Sequence, residues 1–397
     1  MSNGMVVILE KREAPVVSVA FAVKCGGMNE SAGEKGISHF IEHLLYKGTP
    51  NRNAKKIAEE IEKRGGVLNG FTDESVTAYW CKMPSKHLGV ALDVLGDMVK
   101  NPLFAENEIE KERHVIFEEM KMYKDNPTYY VLEKMHGSLY KEPFGIPLIG
   151  TEKTLNSVTR EKIVERFNSI YRPENMILCV VGNCEMKTIV DFANKNFPVS
   201  SRKKSKVPFF KIVKRNESKI EGRSGVDQAN LSFSYHVPSF GRGESYAAGI
   251  LSILMAGGMS SRLFHEIREK RNLAYGVRGS SEINKDFAHN FIYVGTKKEN
   301  VDKIKKIILE EFEKVSKELS EEELDQIKEE SIGNLQISME DSQEQLMHLL
   351  HYELYGDAKM FYNIEKEIRA VKLSDVKKLA ADAVKKHSFF ALVPSGG

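Results

Sequence analysis

Residues 36–45 read Gly-Ile-Ser-His-Phe-Ile-Glu-His-Leu-Leu, so that two histidines and a glutamate fall within one short stretch. Its mix of apolar and polar residues predicts a helix, on which His39, Glu42 and His43 stand at i, i+3 and i+4 and project from one face. Two imidazoles one turn apart can each give a nitrogen to a tetrahedral zinc ion, and the carboxylate between them can hold and deprotonate a water molecule. The stretch therefore indicates a hydrolase site.

A catalytic zinc ion takes three protein ligands, so a third ligand is required elsewhere in the chain. Residues 105–120 carry a strong helical pattern with an apolar stripe. Within this helix, Glu112 and Glu119 are seven residues apart and project from nearly the same side. A solvated acidic face is the alternative for both. Paired with the upstream histidines, Glu119 is the candidate third ligand.

The motif His39-x-x-Glu42-His43 is followed after 75 residues by Glu119, inside Val-Ile-Phe-Glu-Glu-Met. This arrangement resembles the inverted-zincin peptidases of the pitrilysin and mitochondrial processing peptidase family. The resemblance implies that His39, His43 and Glu119 bind one Zn²⁺ ion per chain and that Glu42 is the general base. It also implies that Glu112 is an auxiliary catalytic glutamate, with the acidic face as the alternative for this residue.

Residues 66–81 contain two β-prone arms around a polar turn and are predicted to form a hairpin. In the resembled family this hairpin supplies an edge strand beside the zinc, to which an extended substrate adds through main-chain hydrogen bonds. The resemblance thus implies that Asn69, Gly70 and Phe71 bind substrate. The family usually has Asn-Ala where this chain has Asn69-Gly70, a change that leaves the backbone groups available. A purely structural hairpin is the alternative.

Residues 260–277 resemble the family's C-terminal segment, which carries an arginine and a tyrosine seven residues apart. Arg268 and Tyr275 occupy these positions, and the resemblance implies that they hydrogen-bond the substrate carbonyl and stabilise the oxyanion. A surface helix rich in Arg and Lys is the alternative. His348 and His351 have no apparent third ligand and are expected to be interface or core histidines.

Length and composition indicate the number of domains and exclude some classes of binding partner. A chain of 397 residues is expected to form two or three domains. Its formal net charge of only +2 predicts no nucleic-acid partner and no anionic-membrane partner. Its four scattered cysteines are expected to be reduced thiols. The N-terminal residues lack the pattern of a signal peptide and no segment has the length of a membrane span, so a cytoplasmic location is expected.

A polar, basic stretch bracketed by Pro198 and Pro208 predicts a linker, with a binding patch as the alternative for its charges. It divides the chain into residues 1–198, which bear the zinc motif, a linker at 199–214, and residues 215–397. The second half repeats the order of strands and helices of the first, which suggests an internal duplication. The predicted fold is α+β, with two similar domains, each a mainly antiparallel sheet covered by helices.

The motif and its resemblance predict a zinc metalloendopeptidase. The resemblance further implies that it hydrolyses unfolded peptides or precursor segments inside a closed chamber. Long members of the resembled family close four such domains around the substrate, whereas this chain has two. The resemblance therefore implies a homodimer whose sites combine residues of both chains. The alternatives are a catalytically silent or structural partner subunit of such a peptidase and a non-proteolytic metal-binding module.

Overall fold

A computed structural model describes residues 1–199, 206–241 and 244–395 of the chain. They form two compact units, each assembled from separate stretches of sequence. The first unit combines Met1–Met120, Ile146–Lys211 and Ser338–Phe361; the second combines Lys121–Gly145, Ile212–Ile337 and the described residues from Tyr362 onward. Residues 200–205 of the predicted linker lie outside the described residues.

A mixed sheet lies at the centre of the first unit, and the described residues give it five strands in the order β1-β5-β2-β4-β3. The strands are β1 (Val6–Lys11), β2 (Val16–Val23), β3 (Val67–Thr72), β4 (Thr77–Pro84) and β5 (Met176–Gly182). The β1–β5 pair is parallel and the other pairs are antiparallel. Because successive residues of a strand point to opposite faces, the almost complete burial of β2 shows that both faces of the sheet are covered.

The second sheet repeats this arrangement in the second unit. Its strands are β6 (Ser218–Arg223), β7 (Ala229–His236), β8 (Ala274–Ile283), β9 (Ala288–Thr296) and β10 (Ser388–Pro394). Their order, β6-β10-β7-β9-β8, is that of the first sheet strand for strand, and β6 and β10 form the one parallel pair among the described strands of this sheet. The predicted α+β fold with two similar, mainly antiparallel sheets is confirmed.

Helices pack on both sheets. In chain order they are α1 (Ile37–Leu45), α2 (Ala54–Glu62), α3 (Leu88–Lys100), α4 (Glu106–Asp125), α5 (Pro127–Leu139), α6 (Glu152–Asn156), α7 (Arg160–Ile170), α8 (Met186–Asn196), α9 (Ser245–Ala256), α10 (Val301–Glu318), α11 (Glu321–Ser338), α12 (Ser342–Tyr355), α13 (Ile364–Arg369) and α14 (Leu373–Lys385). Within the described residues, none of them has the length and apolarity needed to cross a membrane.

One helix of each sequence half packs on the sheet of the other half. Helix α12 lies against β2 and β5 of the first sheet, where the hydroxyl oxygens of Ser18 and Ser342 are 2.8 Å apart. Helix α5 lies against β7 and β10 of the second sheet, and Ser388 Oγ donates a hydrogen bond to the carbonyl of Ser138 at 3.0 Å. The compact units therefore differ from the contiguous stretches 1–198 and 215–397, because each half of the sequence contributes a helix to the other unit.

The structure contains elements that the sequence patterns did not predict, among them strand β6 and helix α12, and Phe264–Glu269 forms a π-helical turn. The predicted reduced thiols are confirmed, since Cys25, Cys81, Cys179 and Cys184 are all buried and free.

Candidate metal centre

Helix α1 carries the two candidate histidine ligands, and its start is fixed by a buried carboxylate. Glu30 accepts hydrogen bonds from the backbone nitrogens of Gly36 at 2.9 Å and Ser38 at 2.7 Å, and so satisfies two donors that a helix N-terminus leaves open. Gly36 has φ of +97°, and a β-carbon there would lie 2.5 Å from Ile149 O. The chain can therefore enter α1 only through a glycine, which sets where the histidine face begins.

The structure brings His39 and His43 of α1 against Glu119 of α4. The two rings are 4.6 Å apart between centroids. Nε2 of His39 lies 3.7 Å and Nε2 of His43 lies 3.6 Å from the same Glu119 oxygen, Oε2. Ligand atoms about 2.0–2.2 Å from a tetrahedral zinc ion are separated from one another by roughly 3.3–3.6 Å. The donor types and their spacing therefore fit zinc, and these three form the one candidate metal cluster within the described residues.

A charged network orients His43. Its Nδ1 lies 3.2 Å from Oε2 of Glu112, whose other oxygen is 2.7 Å from Nζ of Lys47. Burial opposes charge on His43, but the hydrogen bond to Glu112 and the nearby Glu42 and Glu119 outweigh it and raise the pKa of the imidazole. The same contacts, with Lys47, lower the pKa of Glu112 against its own desolvation. A carboxylate that accepts from Nδ1 leaves the Nε2 lone pair directed at the metal position.

His39 has a different environment from its neighbour. Its side chain is largely buried, and burial together with the nearby His43 lowers the pKa of His39 to about 3. Its Nδ1 is buried, with no hydrogen-bond partner among the residues that the structure describes. His39 is therefore neutral near pH 7, which is the form of imidazole that can bind a metal ion.

Glu42 lies between the histidines and strand β3. Thr72 Oγ1 donates a hydrogen bond to its Oε2 at 2.9 Å, while its Oε1 lies beside Gly70, 3.3 Å from the position that a β-carbon of residue 70 would occupy. Burial raises the pKa of Glu42, as does the charge of Glu119, against the opposing hydrogen bond from Thr72. A carboxylate with a raised pKa accepts a proton more readily, as a general base for a hydrolytic reaction must.

The predicted substrate-binding residues lie on β3, at one edge of the first sheet as described. Asn69, Gly70 and Phe71 pair with β4 on one side only. The backbone N–H of Gly70 donates a hydrogen bond to the side-chain oxygen Oδ1 of Asn69 at 2.8 Å. An extended peptide could take the place of this local contact by adding to the edge as a further strand.

Comparison with known proteins places the chain in a family. Residues 5–152 match a family model described as "Insulinase (Peptidase family M16)". A protein of Bacillus subtilis named "Uncharacterized zinc protease YmxG" is 32% identical over 400 residues, which cover 99% of this chain and 97% of that protein. The chain belongs to peptidase family M16. This confirms the family that the motif suggested.

A later part of this M16 chain matches a second family model. Residues 157–331 match the model described as "Peptidase M16 inactive domain". A Rickettsia felis protein, also named an uncharacterized zinc protease, is 34% identical over 343 residues, or 86% of this chain and 83% of that protein. A crystal structure of a protease from Helicobacter pylori superimposes with a TM-score of 0.91 at 24% identity, covering 99% of this chain and 97% of the other. The two-unit fold is thus shared along the whole chain.

Arg268 and Tyr275 of the M16 chain belong to the second unit, whereas the candidate metal ligands belong to the first. Arg268 lies in the π-helical turn, with its guanidinium 4.8 Å from the ring centre of Phe264. Tyr275 is on β8 and the residue is 82% exposed. Their hydrogen bonds to a substrate carbonyl stay a prediction.

Three residues around the site were not singled out from the sequence. Lys47 stands four residues after His43 and Tyr46 four residues after Glu42, so helical spacing places each about one turn beyond a motif residue, although α1 itself ends at Leu45. Thr72 follows Gly70 by two positions on β3 and therefore points to the same side of the sheet. Helical and strand periodicity, applied outward from the motif, would have identified all three.

Proposed function

We propose that this chain is a zinc-dependent endopeptidase that hydrolyses bonds within unfolded peptides. The observation that carries the proposal is the convergence of His39, His43 and Glu119 beside the buried carboxylate of Glu42, against the edge strand β3. Close relatives of the same family are named zinc proteases, which supports the assignment.

One zinc ion per chain would be held by His39, His43 and Glu119. When bound, zinc would polarise the scissile carbonyl and make water a stronger acid. The protein holds the ligand nitrogens of His39 and His43 in a form and orientation suited to binding a metal ion. Burial keeps His39 neutral, and Glu112 fixes the orientation of the His43 ring from its far side.

Glu42 would act as the general base and later as the general acid. It would take a proton from the attacking water and deliver it to the leaving amine, so that one carboxylate performs both proton transfers. Thr72 holds Oε2, so that Oε1 is the oxygen available for the proton. A rigid hydrogen bond on one oxygen limits rotation of the carboxylate and keeps the other oxygen directed at the reacting atoms.

Substrate binding would depend mainly on backbone contacts. A peptide added to β3 would hydrogen-bond the main chain of residues 69–71, and this mode tolerates many side-chain sequences. Arg268 and Tyr275 would bind the scissile carbonyl and stabilise its developing negative charge. Broad residue preference among unstructured peptides is the expected result.

A second copy of the chain is proposed to complete the enzyme. The two-domain length provides half of the four-domain enclosure of long family members, and a homodimer would supply the other half. Arg268 and Tyr275 of one protomer would then act at the metal site of its partner. An enclosed chamber of this kind would admit unfolded peptides and exclude folded proteins.

Cleavage of a peptide library by the purified chain, with products identified by mass spectrometry, tests the proposal. We expect endoproteolytic products that disappear after chelation and return on adding zinc. His39→Ala should abolish both zinc binding and cleavage, whereas the exposed His114→Ala, on α4, should keep both. A chain that binds zinc but cleaves no peptide would contradict the proposal and indicate a structural partner subunit.

A further inference from the structure

The hydroxyl of Tyr46 has an unusual position beside the site. Tyr46 follows the last residue of α1, one helical turn after Glu42. Its hydroxyl oxygen is shielded from solvent, yet it has no hydrogen-bond partner among the residues that the structure describes. A buried hydroxyl without a hydrogen-bond partner lowers the stability of the folded state, so a role in function would explain why this hydroxyl is present.

Gly70 provides the space for this hydroxyl. A β-carbon on residue 70 would lie 2.4 Å from Oη of Tyr46, which is far closer than two such atoms can approach. The tyrosine hydroxyl thus occupies the place next to β3 that the methyl group of an alanine would fill.

The same small volume contains the catalytic carboxylate. Oη of Tyr46 and Oε1 of Glu42 both lie within 3.3 Å of the position of the missing β-carbon. Thr72 already donates to the other oxygen, Oε2. The Tyr46 hydroxyl and Oε1 of Glu42 are therefore neighbours, although the structure shows no hydrogen bond between them, and Oε1 is the oxygen that Thr72 leaves available.

We propose that Tyr46 is a positioning residue for Glu42, made possible by Gly70. Its hydroxyl donates a hydrogen bond to Oε1 when the site is occupied, and with Thr72 it holds the carboxylate from both sides. The proposal rests on the peptidase function proposed above. It adds that residues 46 and 70 form a matched pair, in which a tyrosine hydroxyl requires a glycine on the facing strand.

The neighbouring tyrosine hydroxyls have a different, structural role. Tyr79 and Tyr171 share a hydrogen bond of 2.7 Å between their hydroxyls, and the Tyr46 ring packs 6.1 Å from that of Tyr79. Tyr171→Phe removes a hydroxyl that is satisfied, and Tyr46→Phe removes one that is not. The two variants are therefore matched in chemistry and opposite in their expected effects.

Kinetics, zinc content and Tm of Tyr46→Phe and Tyr171→Phe test the positioning role. Tyr46→Phe should keep its zinc, its KM and at least the wild-type Tm, while kcat falls about tenfold, the effect of one hydrogen bond to a charged group. Tyr171→Phe should lower Tm and leave kcat near wild type. If the wild-type enzyme is active and Tyr46→Phe has the same kcat, the positioning role of Tyr46 is wrong and the proposed peptidase function stands. A wild-type protein without peptidase activity would instead overturn the proposed function.

The pairing of residues 46 and 70 has its own test in Tm, which does not depend on activity. In a chain with Tyr46, Gly70→Ala should lower Tm, because the new β-carbon would lie 2.4 Å from the tyrosine hydroxyl. In a chain that also carries Tyr46→Phe, this hydroxyl is missing, so Gly70→Ala should lower Tm much less. Some loss should remain, because the new β-carbon would also lie 2.9 Å from Ala78 O. Equal Tm losses in both backgrounds would overturn the pairing.

Discussion

Nδ1 of His43 lies 3.2 Å from Oε2 of Glu112, and the other oxygen of Glu112 lies 2.7 Å from Nζ of Lys47. From its position on α4, Glu112 thus connects His43, a candidate metal ligand on α1, to a lysine two residues beyond the end of that helix. Glu112 contacts the imidazole, so its proposed role is to orient His43.

Glu112→Gln should weaken zinc binding while leaving all three ligands in place. The neutral amide is a poorer acceptor for Nδ1 of His43 and does not pair with Lys47, so we expect zinc affinity to fall about 10–100-fold. Competition with a chromophoric chelator at fixed pH measures the change. Glu106→Gln, an exposed change on the same helix, is the control and should have little effect. Equal affinities for the two variants would contradict the orienting role.

Stability of the second unit should decrease in mild acid because of His236. Its Nε2 is 3.0 Å from Arg215 O, its Nδ1 is buried, with no hydrogen-bond partner in the described part of the chain, and burial lowers the pKa of the ring. In the unfolded chain the pKa is about 6.5, so the unfolded state binds the proton first as pH falls. The free energy of unfolding should then fall by up to about 1.4 kcal/mol per pH unit below pH 6.5 through this residue, until its folded pKa is reached.

Urea unfolding of wild type and His236→Gln at pH 8 and pH 5.5 measures this contribution. The variant should lose less stability between the two pH values than wild type does. His114→Gln, at an exposed position, should retain the wild-type difference. The same pH dependence in all three proteins would show that His236 does not titrate differently on folding.

If each active site combines residues of both chains of the proposed homodimer, mixing two inactive variants should restore peptidase activity. Glu42→Gln disables the base of one protomer, and Tyr275→Phe disables the residue proposed to reach its partner. Mixed at equal amounts with free exchange, half of the dimers are hybrids with one intact site, so activity should reach about a quarter of wild type. Verified exchange without any gain over the separate variants would contradict the arrangement in trans.

Much of the candidate metal centre could be predicted because its helices are encoded by local sequence patterns. The helix of His39 and His43 and the longer helix of Glu119 have clear periodic patterns, and the structure places α1 and α4 where these patterns indicate. The hairpin at residues 67–84 was predictable for the same reason, from β-prone arms around a polar turn. Each of these elements depends on neighbours in sequence.

What could not be predicted depends on contacts between distant residues. Helix α12 follows β2 by more than 300 residues, yet it covers the sheet that β2 enters. No periodic pattern reveals which sheet an apolar helix will cover. The contact between Tyr46 and Gly70 was hidden in the same way, since it joins a helix end to a separate strand.

In the proposed mechanism, Glu42 is the base beside a zinc site made by His39, His43 and Glu119. Metal content and peptide cleavage of Glu42→Gln, measured on the same sample, separate the base from the ligands. We predict about one zinc per chain, as in wild type, with cleavage reduced at least roughly 100-fold because a proton acceptor and not a ligand is lost. Wild-type cleavage by Glu42→Gln, or loss of its zinc, would show that Glu42 does not have this role.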